Sequence, residues 1–188
     1  MEIISAVYTR DGVAVPAQNE ANSLYQDGYG SLLGDSRLLK LRPCEVLYLV
    51  ERRRIAVVDE ESRHRLVFQE LLRRFSSDDA HIWTRYLVYR DLRSRGFVVR
   101  DGAGPAVEFL VYQRGSFGRR PPRYIVHAIW EGNPEPVGRL RQALKAAETD
   151  GRVLRLAVID RRGEIVYYTL SEVGFTEDEE PVAEALDL

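Results

Sequence analysis

The sequence predicts an α+β N-terminal unit followed by an α/β unit with a mixed sheet. Three observations carry this: short alternating apolar runs interleaved with helical patterns at the start, two longer helical patterns from Glu61 onward, and strands in quick succession around one more helix in the second half. A chain of 188 residues is long enough to bury a core as one large domain or two small ones. The expected division is 1–75, 76–175 and an acidic tail at 176–188.

The elements follow in order. "EIISAVYT" and "GVAVP" form two strands around the turn Arg10-Asp11-Gly12. "AQNEANSLYQDG" has a helical pattern closed by Gly28, and "LRPCEVLYLVERRR" begins a helix near Pro43, with Glu45 in its first turn and Val46, Leu47, Leu49 and Val50 inside. "IAVVD" is a short buried strand. "ESRHRLVFQELLRRFS" reads as one helix with Leu66, Phe68, Leu71, Leu72 and Phe75 on one side. "SSDD" caps the next helix, "AHIWTRYLVYRDLRSRG", whose Ile82, Tyr86, Tyr89 and Leu92 form one buried stripe ended by Gly96. The strands "FVVRD", "AVEFLVYQR" and "RYIVHAIWE" come next, then the helix "EPVGRLRQALKAAETDG" and the strands "RVLRLAVID" and "EIVYYTL" around Arg161-Arg162-Gly163. There is no internal repeat and no low-complexity linker.

Composition narrows the function classes. No apolar run reaches the roughly 18 residues a membrane span needs, and the N-terminus lacks the pattern of a secretory signal, so a cytoplasmic protein is expected. The single cysteine, Cys44, has no partner for an internal disulfide and reads as a core filler. His64, His81 and His127 stand at no metal-ligand spacing, so neither metal nor cofactor is expected. The formal net charge of −2 hides an asymmetry: residues 177–188 hold six acids and no base, leaving 27 bases against 23 acids elsewhere. Such a tail reads as a disordered solubilising end or an interaction segment. Of the bases, 25 are arginine and only Lys40 and Lys145 are lysine. Arginine forks suit phosphate and stack on bases, although a genomic habit and surface ion pairing explain the same bias.

Four ordered blocks, "RYLVYRDLRSRGFVVRDG", "EFLVYQRG", "RYIVHAIWE" and "LRLAVIDRRGEIVYYTL", together with "LRPCEVLYLVERRRIAVVD" before them, resemble the archaeal-type tRNA splicing endonucleases. The resemblance implies a nuclease-like (restriction-endonuclease-like) fold for the second unit. It also implies four domains or subunits assembled on a bulge-helix-bulge RNA, and metal-free cleavage to a 2′,3′-cyclic phosphate and a 5′-hydroxyl. A substrate 2′-hydroxyl attacks its own phosphodiester, which asks for a base, an acid at the leaving oxygen and a cation at the transition state. The family uses a tyrosine, a histidine and a lysine.

By position, the tyrosine is Tyr112, the histidine falls on Pro121 and the lysine on Arg152. Proline has no proton to give, and arginine replaces lysine with altered reach. The resemblance therefore implies a structural subunit that joins a catalytic endonuclease subunit in a two-plus-two heterotetramer and helps place precursor tRNA. Arg114, Arg119, Arg120, Arg123, Lys145 and Arg152 are the candidate RNA contacts, a solvated loop being the bland reading of the first four. Asp160, Glu164, Val166, Tyr167 and Tyr168 are the candidate subunit interface. In the family the loop at Asp160–Glu164 is acidic and docks into a neighbour, whereas here Arg161 and Arg162 interrupt it. One alternative makes this chain itself catalytic through Tyr112, His127 and Lys145, although His127 shares a strand face with Ile125 and Ile129 and reads as a packed core residue. Another makes it an RNA-binding or assembly protein with the inherited fold.

Overall fold

The computed structural model describes residues 3–34, 38–102 and 107–172; the acidic tail expected at 176–188 lies outside the described residues. Strands β1 (Ile4–Thr9) and β2 (Gly12–Val15) form the hairpin read around Arg10-Asp11-Gly12. After them come α1 (Gln18–Gln26), β3 (Ser31–Leu33), β4 (Leu38–Leu41), α2 (Pro43–Glu51), β5 (Ile55–Asp59) and β6 (Arg65–Leu66). The strands build a six-stranded sheet in the order β3-β4-β2-β1-β5-β6, in which only β1 and β5 run parallel.

Three of these strands correct the sequence reading. β3, β4 and β6 have three, four and two residues, too few to display an alternation. β6 also takes the beginning of the helix read from Glu61, and α3 covers only Phe68–Asp78. Asp59 supplies the reason. Its Oδ1 accepts the backbone N–H of Glu61 and Ser62 and the Ser62 hydroxyl, while Arg74 binds its Oδ2 at 2.5 Å. The Ser62 N–H and the Arg74 guanidinium hold this carboxyl well below the usual range, and the turn they fix leaves no room for helix over 60–64.

The second half runs α4 (Ile82–Ser94), β7 (Val98–Asp101), β8 (Phe109–Tyr112), β9 (Tyr124–Trp130), α5 (Val137–Thr149), β10 (Val153–Ile159) and β11 (Ile165–Leu170). Its sheet has the order β11-β10-β9-β8-β7, with β9 and β10 parallel and every other pair antiparallel. The architecture is thus α+β followed by α/β, with mixed sheets. Of "SSDD", Ser76, Ser77 and Asp78 belong to the end of α3. Only Asp79 serves α4, accepting the His81 N–H and pairing with Arg85 at 2.8 Å.

Helix α4 departs furthest from its expected stripe. Tyr86, Leu87, Val88 and Tyr89 are all buried, and four consecutive positions do not fit one helix face. The helix is clasped on two sides, by α2 and α3 on one and by the second sheet on the other. The Tyr89 ring lies 5.9 Å from Tyr48 of α2 and 6.1 Å from Phe109 of β8. One continuous core therefore runs from Ala6 to Ile159. A smaller one, Ile125, Ala143, Ala147 and Leu154, seats α5 on the sheet's other face. Among the described residues no helix is long and apolar enough to cross a membrane.

Tyr89 gives a sharp test. Its ring is fully buried while its hydroxyl has no hydrogen-bond partner among the described residues. Tyr89→Ala should lose about 3–5 kcal/mol of stability in denaturant titration. Tyr89→Phe keeps the ring and should stay within about 1 kcal/mol of the parent or exceed it.

Candidate functional site

The register of the second sheet decides which side chains meet. Val111 of β8 stands opposite Tyr124 of β9, which stands opposite Val153 of β10. One step outward, the Arg123 N–H donates to the Val111 carbonyl at 3.0 Å, and the Val153 N–H donates to the Arg123 carbonyl at 3.1 Å. Tyr112, Arg123 and Arg152 therefore end three neighbouring strands on the same edge. This follows from β8 running antiparallel to β9 while β10 runs parallel to it.

Each arrives there for a local reason. Tyr112 closes β8, half-buried, its ring edge-on to Phe117 at 5.1 Å. Arg152 follows the end of α5, where Gly151, at φ +63°, turns the chain left-handed. The Arg152 N–H donates to the Ala147 carbonyl and the Gly151 N–H to the Glu148 carbonyl, which terminates the helix and aims the chain into β10. The Arg152 guanidinium pairs with Asp150 at 2.5 Å.

Between β8 and β9 the loop 113–123 carries four arginines and no acid. The Ser116 hydroxyl donates to the Gln113 carbonyl, and the Ser116 carbonyl accepts the N–H groups of Arg119 and Arg120. This tight turn leaves the side chains of Arg119, Arg120, Pro121 and Arg123 exposed. Arg114 lies over the Phe97 ring at 5.1 Å.

His127 is elsewhere. It sits three residues into β9 from Tyr124, about 10 Å along the strand, and is fully buried. Its Nε2 lies 3.1 Å from the Glu135 carboxylate and its Nδ1 3.8 Å from that of Glu108. Arg139 approaches both carboxylates, at 3.7 and 3.8 Å, and Glu108 also accepts the Ala128 N–H. The two glutamates address different ring nitrogens, and the buried Nδ1 has no hydrogen-bond partner among the described residues. Among the described residues no group of three or more histidine, cysteine or acidic side chains is arranged to hold a metal ion. Lys145 is exposed on α5, between the inward-facing Ala143 and Ala147. Tyr112, His127 and Lys145 thus occupy a strand end, a buried strand centre and an outer helix face. His64 and His81 are exposed, His64 beside Glu70 and His81 at the N-terminus of α4.

The candidate interface residues divide by face. Val166 and Tyr168 are about half exposed on β11, the outermost strand of the sheet. Tyr167 turns the other way and donates its hydroxyl to Asp91 of α4 at 2.7 Å; burial, and then Asp91, push that hydroxyl's pKa well up. Asp160 accepts the N–H groups of Arg162 and Glu164, and Glu131 accepts that of Arg161. The carboxylates of Asp160 and Glu131 are engaged by the hairpin backbone, whereas Arg161, Arg162 and Glu164 are exposed. Sequence reasoning missed Glu108, Glu135, Arg139 and Asp91. Only the four-residue spacing of Glu135 and Arg139 was a usable signal.

Two family profiles match in order: the tRNA intron endonuclease N-terminal domain over residues 4–72, and the tRNA intron endonuclease catalytic C-terminal domain over residues 82–167. A tRNA-splicing endonuclease of Methanococcus maripaludis is 30% identical over 164 residues, covering 87% of this chain and 86% of that protein. One of Pyrococcus abyssi is 27% identical over 93% of this chain and 99% of its own length. One of Methanosarcina acetivorans is 32% identical over 85% of this chain and 45% of its own length. With both domains matched in sequence order and relatives of this likeness across most of its length, the chain belongs to the tRNA intron endonuclease family.

Proposed function

We propose that this chain is the structural subunit of a tRNA splicing endonuclease, joining a catalytic subunit in a two-plus-two heterotetramer. There it places precursor tRNA at a bulge-helix-bulge junction, cut to 2′,3′-cyclic phosphate and 5′-hydroxyl ends. One observation carries the reading: the position that the resemblance assigns to the proton donor is an exposed proline, Pro121, two residues before Arg123 at the sheet end where Tyr112 and Arg152 stand. Leaving-group protonation needs an acid in reach of the 5′-oxygen, and the buried His127, held between two carboxylates, offers none.

The remaining features support placement of RNA. Four arginines without an acid between 113 and 123 give a local cationic surface for phosphate, with Arg152, paired to Asp150, at its edge. Lys145 is a further exposed cation, on the outer face of α5. The outer edge of β11, with Val166 and Tyr168 exposed and Asp160 and Glu164 at its tip, is the surface for the neighbouring subunit. Units at 1–75 and 76–175, a tail at 176–188 and a cytoplasmic setting belong to the same proposal.

The deciding experiment is cleavage of a bulge-helix-bulge RNA in chelator, by this chain alone and with a catalytic paralogue, with complex mass recorded. Cutting only with the paralogue, in a complex of mixed-tetramer mass, is expected. Cutting by the chain alone overturns the structural reading and makes His127 and Lys145 the next residues to mutate. Within the mixed complex, Tyr112→Phe should leave turnover nearly unchanged. Acid–base groups contribute roughly 10²–10⁴-fold, so a loss of that size with normal assembly would show Tyr112 at work. Tyr168→Glu should lower the complex mass while the isolated chain keeps its melting temperature; an unchanged mass removes β11 from the interface.

A further inference from the structure

The last strand of the second sheet leaves it at the edge where the arginines stand. β11 runs antiparallel to β10, with Leu170 opposite Leu154 and Leu154 opposite Ile125. Two steps further in the same register, Glu172 is level with Arg152 and Arg123, and only β10 separates β11 from β9. Neighbouring strands lie about 4.8 Å apart, so the chain emerges roughly 10 Å from Arg123. The sequence that follows, "VGFTEDEEPVAEALDL", lies outside the described residues and opens its charges with four consecutive acids, Glu177 to Glu180.

The loop 113–123 holds the unmatched charge of this edge. Arg119, Arg120 and Arg123 are exposed, and none of them has an ion pair among the described residues. The other guanidiniums near the end of β11 are engaged: Arg152 by Asp150, Arg155 by the Thr169 hydroxyl, and Arg95 by Asp91. Arg161 and Arg162 are exposed as well, but they stand at the opposite end of β11, about 20 Å along the strand.

We propose that residues 177–180 dock on the loop 113–123 of their own chain, their carboxylates against the guanidiniums of Arg119, Arg120 and Arg123. Residues 171–176 bridge the gap, since six extended residues reach about 20 Å. A single exposed ion pair is weak, but so short a tether holds the segment at an effective concentration of about millimolar. Carboxylates offer guanidiniums the same charge and planar acceptor geometry as phosphate. The segment thus competes with nucleic acid for the loop: weakly held RNA is excluded, and RNA with enough further contacts displaces it. The docking stands on charge and register, while this consequence rests on the reading that RNA crosses the loop.

The test uses the full chain carrying Ala183→Cys with a spin label; the native Cys44 is buried and stays unmodified. At low salt the label should broaden the amide signals of Gly115, Phe117 and Gly118, and high salt should restore them. Neutralising the segment (Glu177→Gln, Asp178→Asn, Glu179→Gln and Glu180→Gln together) should abolish the broadening. Arg119→Gln with Arg120→Gln should abolish it too, whereas Arg161→Gln with Arg162→Gln should leave it unchanged. Melting temperatures confirm that the variants fold. Loop amides untouched by the label, or broadening that survives neutralisation, overturns the proposal. Broadening carried between separate spin-labelled and isotope-enriched chains puts the segment on a neighbour's loop and overturns it as well.

Affinity for a paired RNA duplex is measured in parallel. The neutralised segment should tighten it about fivefold at low salt, the factor recovered when a closed form no longer competes. Tighter binding with no broadening in the parent reduces the segment to long-range repulsion and overturns the docking. Arg119→Gln with Arg120→Gln separates the two readings. Lost broadening with duplex affinity unchanged supports the docking and removes the loop as an RNA surface. Weakened duplex affinity with broadening unchanged keeps the RNA surface and overturns the docking.

Discussion

The two-sided burial of α4 is the constraint on which the rest of the structure depends. A helix clasped between α2 and the second sheet makes the two units share one core and covers the face of the second sheet on which it lies. Tyr89 sits at the crossing, between Tyr48 and Phe109. The surrounding charges are adapted to it. Arg93 lies over the Tyr29 ring at 3.9 Å and donates to the Asp27 carbonyl, and Arg100 reaches Gly28 and Ser31. Arginines of the second half thus satisfy backbone oxygens of the first, and the junction is set by polar contacts around an apolar centre.

With α4 fixed, the sheet behind it sets the edge at which Tyr112, Arg123 and Arg152 stand. Backbone ladder bonds on both sides of Arg123 determine that placement, so it holds whether or not the side chains perform chemistry. Binding phosphate asks only for fixed positive charge, whereas cleaving the diester also asks for a titratable donor. A fold can therefore lose the second requirement and keep the first. Two consecutive prolines in the loop stiffen the backbone between Arg120 and Arg123, which favours a fixed spacing of cations over mobility.

Much of this was legible in the sequence. Both hairpins, the helices at Pro43 and Glu135, and the strands "RYIVHAIWE" and "RVLRLAVID" declare themselves by apolar period and turn residues. The failures have physical reasons. β3, β4 and β6 are too short to show a period, and the helix read from Glu61 begins only at Phe68 because the Asp59 carboxylate organises the residues before it. Leu87 and Val88 fell outside the expected stripe because a helix buried on two sides does not obey one. At the candidate site, the strand-end position of Tyr112 and Arg152 follows from the order of strands. The pairing of Arg152 with Asp150, and of Tyr167 with Asp91, depends on side-chain approach that no pattern encodes.

The histidine that motif matching leaves over has its own explanation. His127 joins three elements: Glu108 immediately before β8, its own strand β9, and Glu135 and Arg139 at the start of α5. Arg139 within ion-pair distance of both glutamates keeps two partly buried carboxylates from facing each other without a cation. The cluster anchors one end of α5, and Ala143 and Ala147 seat its length against Ile125 and Leu154. The helix then ends at Gly151 and delivers Arg152 to the sheet edge. The cationic edge is thus positioned in part by an ion cluster that has no access to solvent at its histidine. Conservative changes within that cluster therefore act on the placement of Arg152 through α5, while the arginines of the loop 113–123 keep the geometry of their own turn.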